Sequence, residues 1–184
     1  MAKINTETPD SSPELDDLDL CILQHLQQDC SVTNQILAGR VNASPPTTIR
    51  RVRRLVAEGY VESQVALLSA AKLGWPLTAI IEITLDTQAA EIMQAFETRM
   101  MDEDAVAQCY RVAPGPDFIL VVHVADMAAY HALAHRAFTA EARVRNVRTF
   151  FSTHRAKFTT QLPIGNRGLI ETPDEFQDLC LRQC

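Results

Sequence analysis

Residues 44–60 read Ser44-Pro-Pro-Thr-Thr-Ile-Arg-Arg-Val-Arg-Arg-Leu-Val-Ala-Glu-Gly-Tyr60. This is the pattern of a capped helix with charge on one side and apolar residues on the other. Ser44 offers a hydroxyl to the orphan amides of a first turn. Pro45 suits the first helical position, where no backbone donor is needed. Gly59 accommodates the left-handed conformation that ends a helix. Between these caps, Ile49, Val52, Leu55 and Val56 recur at helical spacing and predict a buried face. At about 100° per residue, Thr47, Arg50 and Arg54 point away from that face, with Arg51 and Arg53 flanking them. From Arg40 to Ala57 the chain carries five arginines and no acid. That charge profile fits a helix laid in the major groove of double-stranded DNA.

The flanking sequence supplies the rest of the motif. Leu15, Leu18, Ile22 and Leu26 form a stripe that predicts an amphipathic helix over 16–28, capped by Asp16 or Asp17. Thr33 caps a short helix containing Ile36, Leu37 and Val41, and Asn42 tolerates the left-handed conformation that closes it. A short helix, a tight turn and a capped basic helix make a helix-turn-helix. The expected DNA-contacting residues are Ser44, Pro46, Thr47, Thr48, Arg50, Arg51, Arg53 and Arg54. Thr47, Thr48 and Arg50 would read base edges, while Arg51, Arg53 and Arg54 would mix base and phosphate contacts. A merely solvated charged face is the plain alternative. The absence of acids, the cap and the two preceding helices weigh against it. Residues 14–60 carry six acids against five arginines, so affinity must come from a local patch, which a dimer would double.

At 184 residues, 47% hydrophobic and 22% charged with a net charge of −6, the composition is that of a globular protein with one or two small cores. No apolar run approaches the ~18 residues of a membrane span and no apolar signal segment opens the chain, so a cytoplasmic location without membrane contact is expected. The five cysteines are odd in number and lack Cys-x-x-Cys spacing, which suggests neither a disulfide framework nor a zinc ribbon.

The expected organisation is a disordered polar tail over 1–13, a helix-turn-helix domain over 14–60, an extended connector over 61–76, a second domain over 77–164 and an extension over 165–184. In the extension, Thr172-Pro173-Asp174-Glu175 has the form of a capping box. The second domain alternates clearly. Thr78–Leu85 reads as a strand with Ala79, Ile81, Ile83 and Leu85 on one face. Residues 88–101 read as a helix, Val106–Val112 and Phe118–Val124 as strands, and Val144–His154 as a last strand. Asp126 caps a second helix with Met127, Tyr130, Leu133 and Ala137 inward. The order βαββαβ is the ferredoxin-like split, so the fold class is α+β. Two helices cover only one face of such a sheet. Ile119 and Val121 lie on the other, which predicts a homodimer through it. Thr78, Glu82, Thr84 and His123 make that face partly polar.

The motifs Leu15-Asp16-x-x-Asp19-x-x-Ile22-Leu23, Ser44-Pro45, Arg51-Val52-Arg53-Arg54-Leu55-x-x-x-Gly59-Tyr60-Val61 and Glu82-Ile83-Thr84-Leu85 fall in register with a known pattern. So do Asp126-Met127-x-x-Tyr130 and Lys157-x-Thr159-Thr160-x-Leu162-Pro163-Ile164. Over 15–164 the chain resembles the Lrp/AsnC (feast/famine) family of transcriptional regulators. The resemblance implies a winged-helix-like reader followed by an effector-binding domain of the RAM type. It also implies a homodimer that assembles into a tetramer or octamer, and control of amino-acid or related metabolism genes by a small-molecule effector such as an amino acid. In the family the effector lies near the loop between the second and third strands of that domain, here Pro114, Gly115, Pro116 and Asp117. The loop departs from the family pattern, with Pro114 at the usual glycine and Pro116 at the usual aromatic. Two prolines remove two backbone donors. The departure keeps a second reading open, an effector-independent architectural DNA-binding protein.

No catalytic, metal or cofactor site is expected. His131 and His135 stand at metal-ligand spacing without an acid or cysteine beside them. Sirohaem decarboxylases are similar in fold, but Tyr110-Arg111 is followed by Val112-Ala113-Pro114, with neither His nor Glu.

Overall fold

The computed structural model of the chain describes residues 15–139 and 143–164. The expected tail over 1–13 and the extension over 165–184, with its capping box, lie outside the described residues. The described residues divide into two compact units, one of residues 15–66 with 159–164 and the other of residues 67–158.

The first unit is helical. Helix α1 spans Asp17–Gln28, α2 Asn34–Arg40 and α3 Pro45–Ala57. Each start is chemically specified. Asp16 caps α1 in a reciprocal capping box with Asp19, Thr33 caps α2, and Ser44 caps α3 with prolines in its first turn. Asn42 takes a φ of 51°, and the Ala43 amide donates back to the Ala38 carbonyl at 3.0 Å. Gly59 takes a φ of 78° beyond α3, and the Tyr60 amide donates to the Leu55 carbonyl at 2.9 Å. Both ends are the left-handed closures that Asn and Gly were expected to supply. Cys21, Ile22, Leu23, Leu37, Val41 and Leu55 form the core, with Val52, Tyr60 and Val61 packed at its edge. Cys21 is disulfide-bonded, a bond that the odd number and spacing of the cysteines did not suggest; Cys30 and Cys109 are free. Val56, predicted inward, is 48% exposed. Residues 159–164 join this unit. The Gln27 side chain donates to the Leu162 carbonyl at 3.0 Å and accepts from the Leu162 amide at 2.8 Å.

The second unit is a four-stranded antiparallel sheet of β1 (Leu77–Leu85), β2 (Val106–Arg111), β3 (Phe118–Val124) and β4 (Val144–Phe151), in the order β2-β3-β1-β4. Helices α4 (Ala90–Met101) and α5 (Met127–Ala134) complete the βαββαβ order. Ala79, Ile81, Ile83 and Leu85 of β1 and Phe118, Leu120, Val122 and Val124 of β3 are buried, together with Phe96, Met100 and Leu133 from the helices. Phe96 and Phe118 meet at 4.7 Å between ring centroids. Arg99 of α4 donates to the Ala137 carbonyl at 2.6 Å, which ties α4 to the wide turn after α5. Met127, predicted inward, is 43% exposed.

Among the described residues no helix covers the other sheet face. Its residues line up across the strands as Gln108–Val121–Ile80–Phe150 and Tyr110–Ile119–Glu82–Arg148. Ile80, Tyr110 and Phe150 are exposed, and Arg148 pairs with Glu82 at 3.4 Å. Among the described residues no strand lies between α3 and β1. Val65, Leu67 and Leu68 in that stretch are well exposed.

Candidate nucleic-acid interface and ligand loop

Helix α3 sorts the eight expected DNA-contacting residues into three groups. Ser44, Pro46, Arg50 and Arg53 are exposed, and Thr47 is half-buried. The Ser44 and Thr47 hydroxyls lie 2.9 Å apart at the helix start. Pro45 and Pro46 have no amide hydrogen and the Thr47 amide donates to the Ser44 hydroxyl at 3.4 Å, so this end of α3 offers a partial positive charge rather than free backbone donors. Arg50 and Arg53 form no ion pair with another described residue.

Thr48 is different. It is fully buried, and its hydroxyl donates to the Ser44 carbonyl at 3.2 Å. Expected among the base-reading residues, it faces the interior of the unit instead of the exposed side of α3. One turn of α3 carries Thr47 outward and Thr48 inward, and the hydroxyl spends its proton on the helix itself.

Arg51 and Arg54 form the third group. Arg51 donates to Asp16 at 2.6 Å and to Asp19 at 3.0 Å. Arg54 also donates to the same Asp19 oxygen, and its Nε lies 3.8 Å from Glu58. Asp19 is wholly buried, and the Arg51 and Arg54 side chains are only 21% and 31% exposed. Burial raises the Asp16 carboxyl pKa, but the Asp19 amide and the Arg51 guanidinium outweigh it and hold it below the usual value. The hydrogen bond to Asp16 leads in keeping Arg51 more firmly protonated. Both guanidiniums, expected to contact bases and phosphates, are paired with carboxylates of α1 in this structure. Asp16 and Asp19 stood three residues apart in the sequence, as did Arg51 and Arg54. That matched spacing on two facing helices is the available signal; of the two acids, Asp16 alone was expected to act, as a cap.

The second expected site is the loop over 113–117. Pro114 and Gly115 are exposed and Pro116 is half-buried. Asp117 is 3% exposed. Its carboxylate accepts from the Leu85 amide at 2.7 Å and from the Gln88 side chain at 2.7 Å. Its own amide donates to the Ile83 carbonyl at 2.8 Å, and its carbonyl accepts from the Val112 amide at 3.0 Å. Asp117, expected at the ligand loop, therefore braces β3 against the end of β1. Gln88 shares this role and has no sequence signature.

His131 and His135 are both exposed. Among the described residues no group of three or more His, Cys, Asp or Glu is arranged to hold a metal ion. No described helix is long and apolar enough to cross a membrane.

The two units together define a DNA-binding module joined to a ligand-binding module. Residues 15–62 match the family described as winged helix-turn-helix DNA-binding, and residues 78–162 match the Lrp/AsnC ligand binding domain. The leucine-responsive regulatory protein of Escherichia coli is 32% identical over 154 residues, covering 84% of this chain and 94% of that protein. An uncharacterised HTH-type transcriptional regulator of Haemophilus influenzae is 36% identical over 137 residues, covering 74% and 82%. A crystal structure of an AsnC family regulator from Agrobacterium tumefaciens superposes with a TM-score of 0.78 at 31% identity, over 82% of this chain and 97% of that one. A Neisseria meningitidis transcriptional regulator solved as an L-Met complex follows at 0.75 and 28%, with the same coverage. The chain belongs to the Lrp/AsnC family of transcriptional regulators, and it is a DNA-binding regulator.

A pH dependence follows from His25 in the last turn of α1. Burial leads in lowering its pKa, and Arg40 adds to the effect, so the folded state disfavours the imidazolium. Below the usual histidine value of 6.5 the unfolded chain takes up a proton that the folded chain still refuses. The His25 contribution is complete above that value and is lost as the pH falls through and below it. Melting temperatures recorded between about pH 5 and 7.5 are expected to fall more steeply towards acid in wild type than in His25→Gln. Parallel curves would remove His25 from the account.

Proposed function

We propose that a homodimer formed through the open sheet face presents two copies of α3 to successive major grooves, roughly 34–36 Å apart. Arg50 reads base edges together with Thr47, and Arg53, Ser44 and Pro46 position the helix on the backbone. The observation that carries this reading is the exposure of Arg50 and Arg53, unpaired among the described residues, beside a capped helix start. The regulated genes are those of amino-acid or related metabolism. The effector is an amino acid or a related metabolite held at the loop around Pro114, Gly115 and Pro116. The L-Met complex of the Neisseria relative supports this ligand class. The dimer assembles further to a tetramer or octamer. The domain limits proposed are 14–60 for the reader and 77–164 for the effector domain.

One observation favours the effector-independent architectural reading. Asp117 spends its carboxylate, amide and carbonyl within the chain, and two of the neighbouring loop residues are prolines. The loop therefore offers few groups to a ligand.

Three measurements test these statements. Sites selected from genomic DNA should bind Arg50→Ala at least about tenfold more weakly than wild type, with discrimination lost at one base position per half-site; an equal loss on every sequence would reassign Arg50 to phosphate. Ile80→Asp should sediment as a smaller species, because it places a charge in the centre of the open face; an unchanged sedimentation coefficient would move the interface elsewhere. A thermal-shift screen of the twenty amino acids and related metabolites should raise the melting temperature of wild type with at least one compound, and less so in Pro116→Ala. The absence of any shift would favour the architectural reading.

A further inference from the structure

The five arginines between Arg40 and Ala57 are not equivalent. Arg51 and Arg54 share one oxygen of the buried Asp19, and Arg51 also reaches Asp16 at 2.6 Å. Two acids and two arginines cancel within this cluster. The acids are themselves interlocked, since the Asp19 amide donates to Asp16 at 2.9 Å and the Asp16 amide donates to Asp19 at 3.3 Å. For Arg51 or Arg54 to reach DNA, it must leave a carboxylate that would then stay buried with fewer partners. The released carboxylate would also stand close to the phosphate backbone and repel it. Exchanging Asp19 for a phosphate therefore gains little and leaves a charge unpaired.

We propose that Asp16 and Asp19 are positioning residues that hold Arg51 and Arg54 out of the DNA interface, so that among the arginines of α3 only Arg50, which reads, and Arg53, which positions, face the DNA. This rests on the reading of α3 as the recognition helix and adds to it a built-in restriction on which arginines read. Unrestricted guanidiniums on α3 would bind phosphates on any sequence. The clamp lowers that sequence-independent affinity and sharpens the contrast between operator and bulk DNA. It also explains how a domain with more acids than arginines carries a local positive surface: the acids are spent on the arginines that do not read.

The test measures the salt dependence of binding, for a selected operator and for random-sequence duplex, with the full chain. Four proteins are compared with wild type: Asp16→Asn, Arg51→Gln, the double variant Asp16→Asn/Arg51→Gln, and Arg50→Ala as the reference for a reading arginine. Asn retains the cap on α1, so Asp16→Asn folds, and a melting curve verifies each protein. Asp16→Asn should bind random DNA more tightly, with a salt slope steeper by about 0.9 for each released arginine, and should discriminate less between bases. The double variant should return to the wild-type slope, because the extra contact is made by Arg51. Arg51→Gln alone should leave slope and base preference near wild type, whereas Arg50→Ala should not. The proposal is overturned if Arg51→Gln reduces affinity and slope as Arg50→Ala does. It is equally overturned if the double variant keeps the steeper slope, which would attribute the change to simple loss of a negative charge, or if Asp16→Asn changes nothing. If neither Arg50→Ala nor Arg51→Gln affects binding, α3 is not the reader, and the functional reading fails before this inference is reached.

Discussion

The carboxylate of Asp19 sits wholly buried at the foot of α1, facing two guanidiniums from α3. A buried charge in a small helical unit is tolerated only when it is paired and hydrogen-bonded. Here the pairing fixes three things at once. It completes the capping box that starts α1, it sets the rotation of α3 about its own axis, and it decides which arginines remain on the outer surface. With α3 turned this way, Thr48 and Leu55 go inward and Arg50 and Arg53 outward. The core of the unit is made of small and medium apolar side chains that would accept several helix rotations nearly equally. The directional ion-pair cluster removes that freedom.

Much of this unit was legible beforehand because its helix ends are chemically explicit. Ser44, Thr33 and Asp16 are the caps observed, and Asn42 and Gly59 take the left-handed conformations their residue types permit. The sheet was equally open to reading. Strict alternation in β1 and β3 assigned Ala79, Ile81, Ile83, Phe118, Leu120 and Val122 to the core, and all are buried. What the sequence concealed was pairing between residues distant along the chain. Arg51 lies 32 residues from Asp19, and Asp117 lies 32 residues from Leu85. Each was assigned an outward role because a charged residue in a loop or on a helix face is ordinarily solvated. Local periodicity also fails at the margins of the apolar arc, where Val56 and Met127 are exposed. A helical wheel gives direction but not how far the neighbouring element extends over it.

The second unit poses the opposite problem, an apolar surface without cover. Two helices close one face of the sheet and leave Ile80, Val121, Ile119 and Phe150 across the centre of the other. The face is not uniformly apolar. Glu82 and Arg148 pair across β1 and β4, and Arg148 lies 5.0 Å from the centroid of the Phe150 ring. A partner that buried this face against hydrocarbon alone would desolvate that pair without replacing its water contacts. A second copy related by a twofold axis meets the requirement, because it brings an identical acid and base with the same apolar neighbours.

The loop over 113–117 is short of hydrogen-bond donors. Between residues 113 and 117, two positions are prolines and the Asp117 amide is spent on Ile83, which leaves the amides of Ala113 and Gly115. Two exposed amides hold a carboxylate weakly in water, since each exchanges one hydrogen bond for another. An amino-acid effector that binds this loop with useful affinity therefore needs further donors from outside it, and the Asp117 carboxylate, an acceptor committed to Leu85 and Gln88, is not free for the effector's ammonium group. If those donors come from another copy of the chain, ligand occupancy and oligomer state form one linked equilibrium. The ligand then shifts assembly by its difference in affinity between the two states. If no donors arrive, the loop is simply a stiff corner braced by a buried acid, and regulation passes to the concentration of the protein itself.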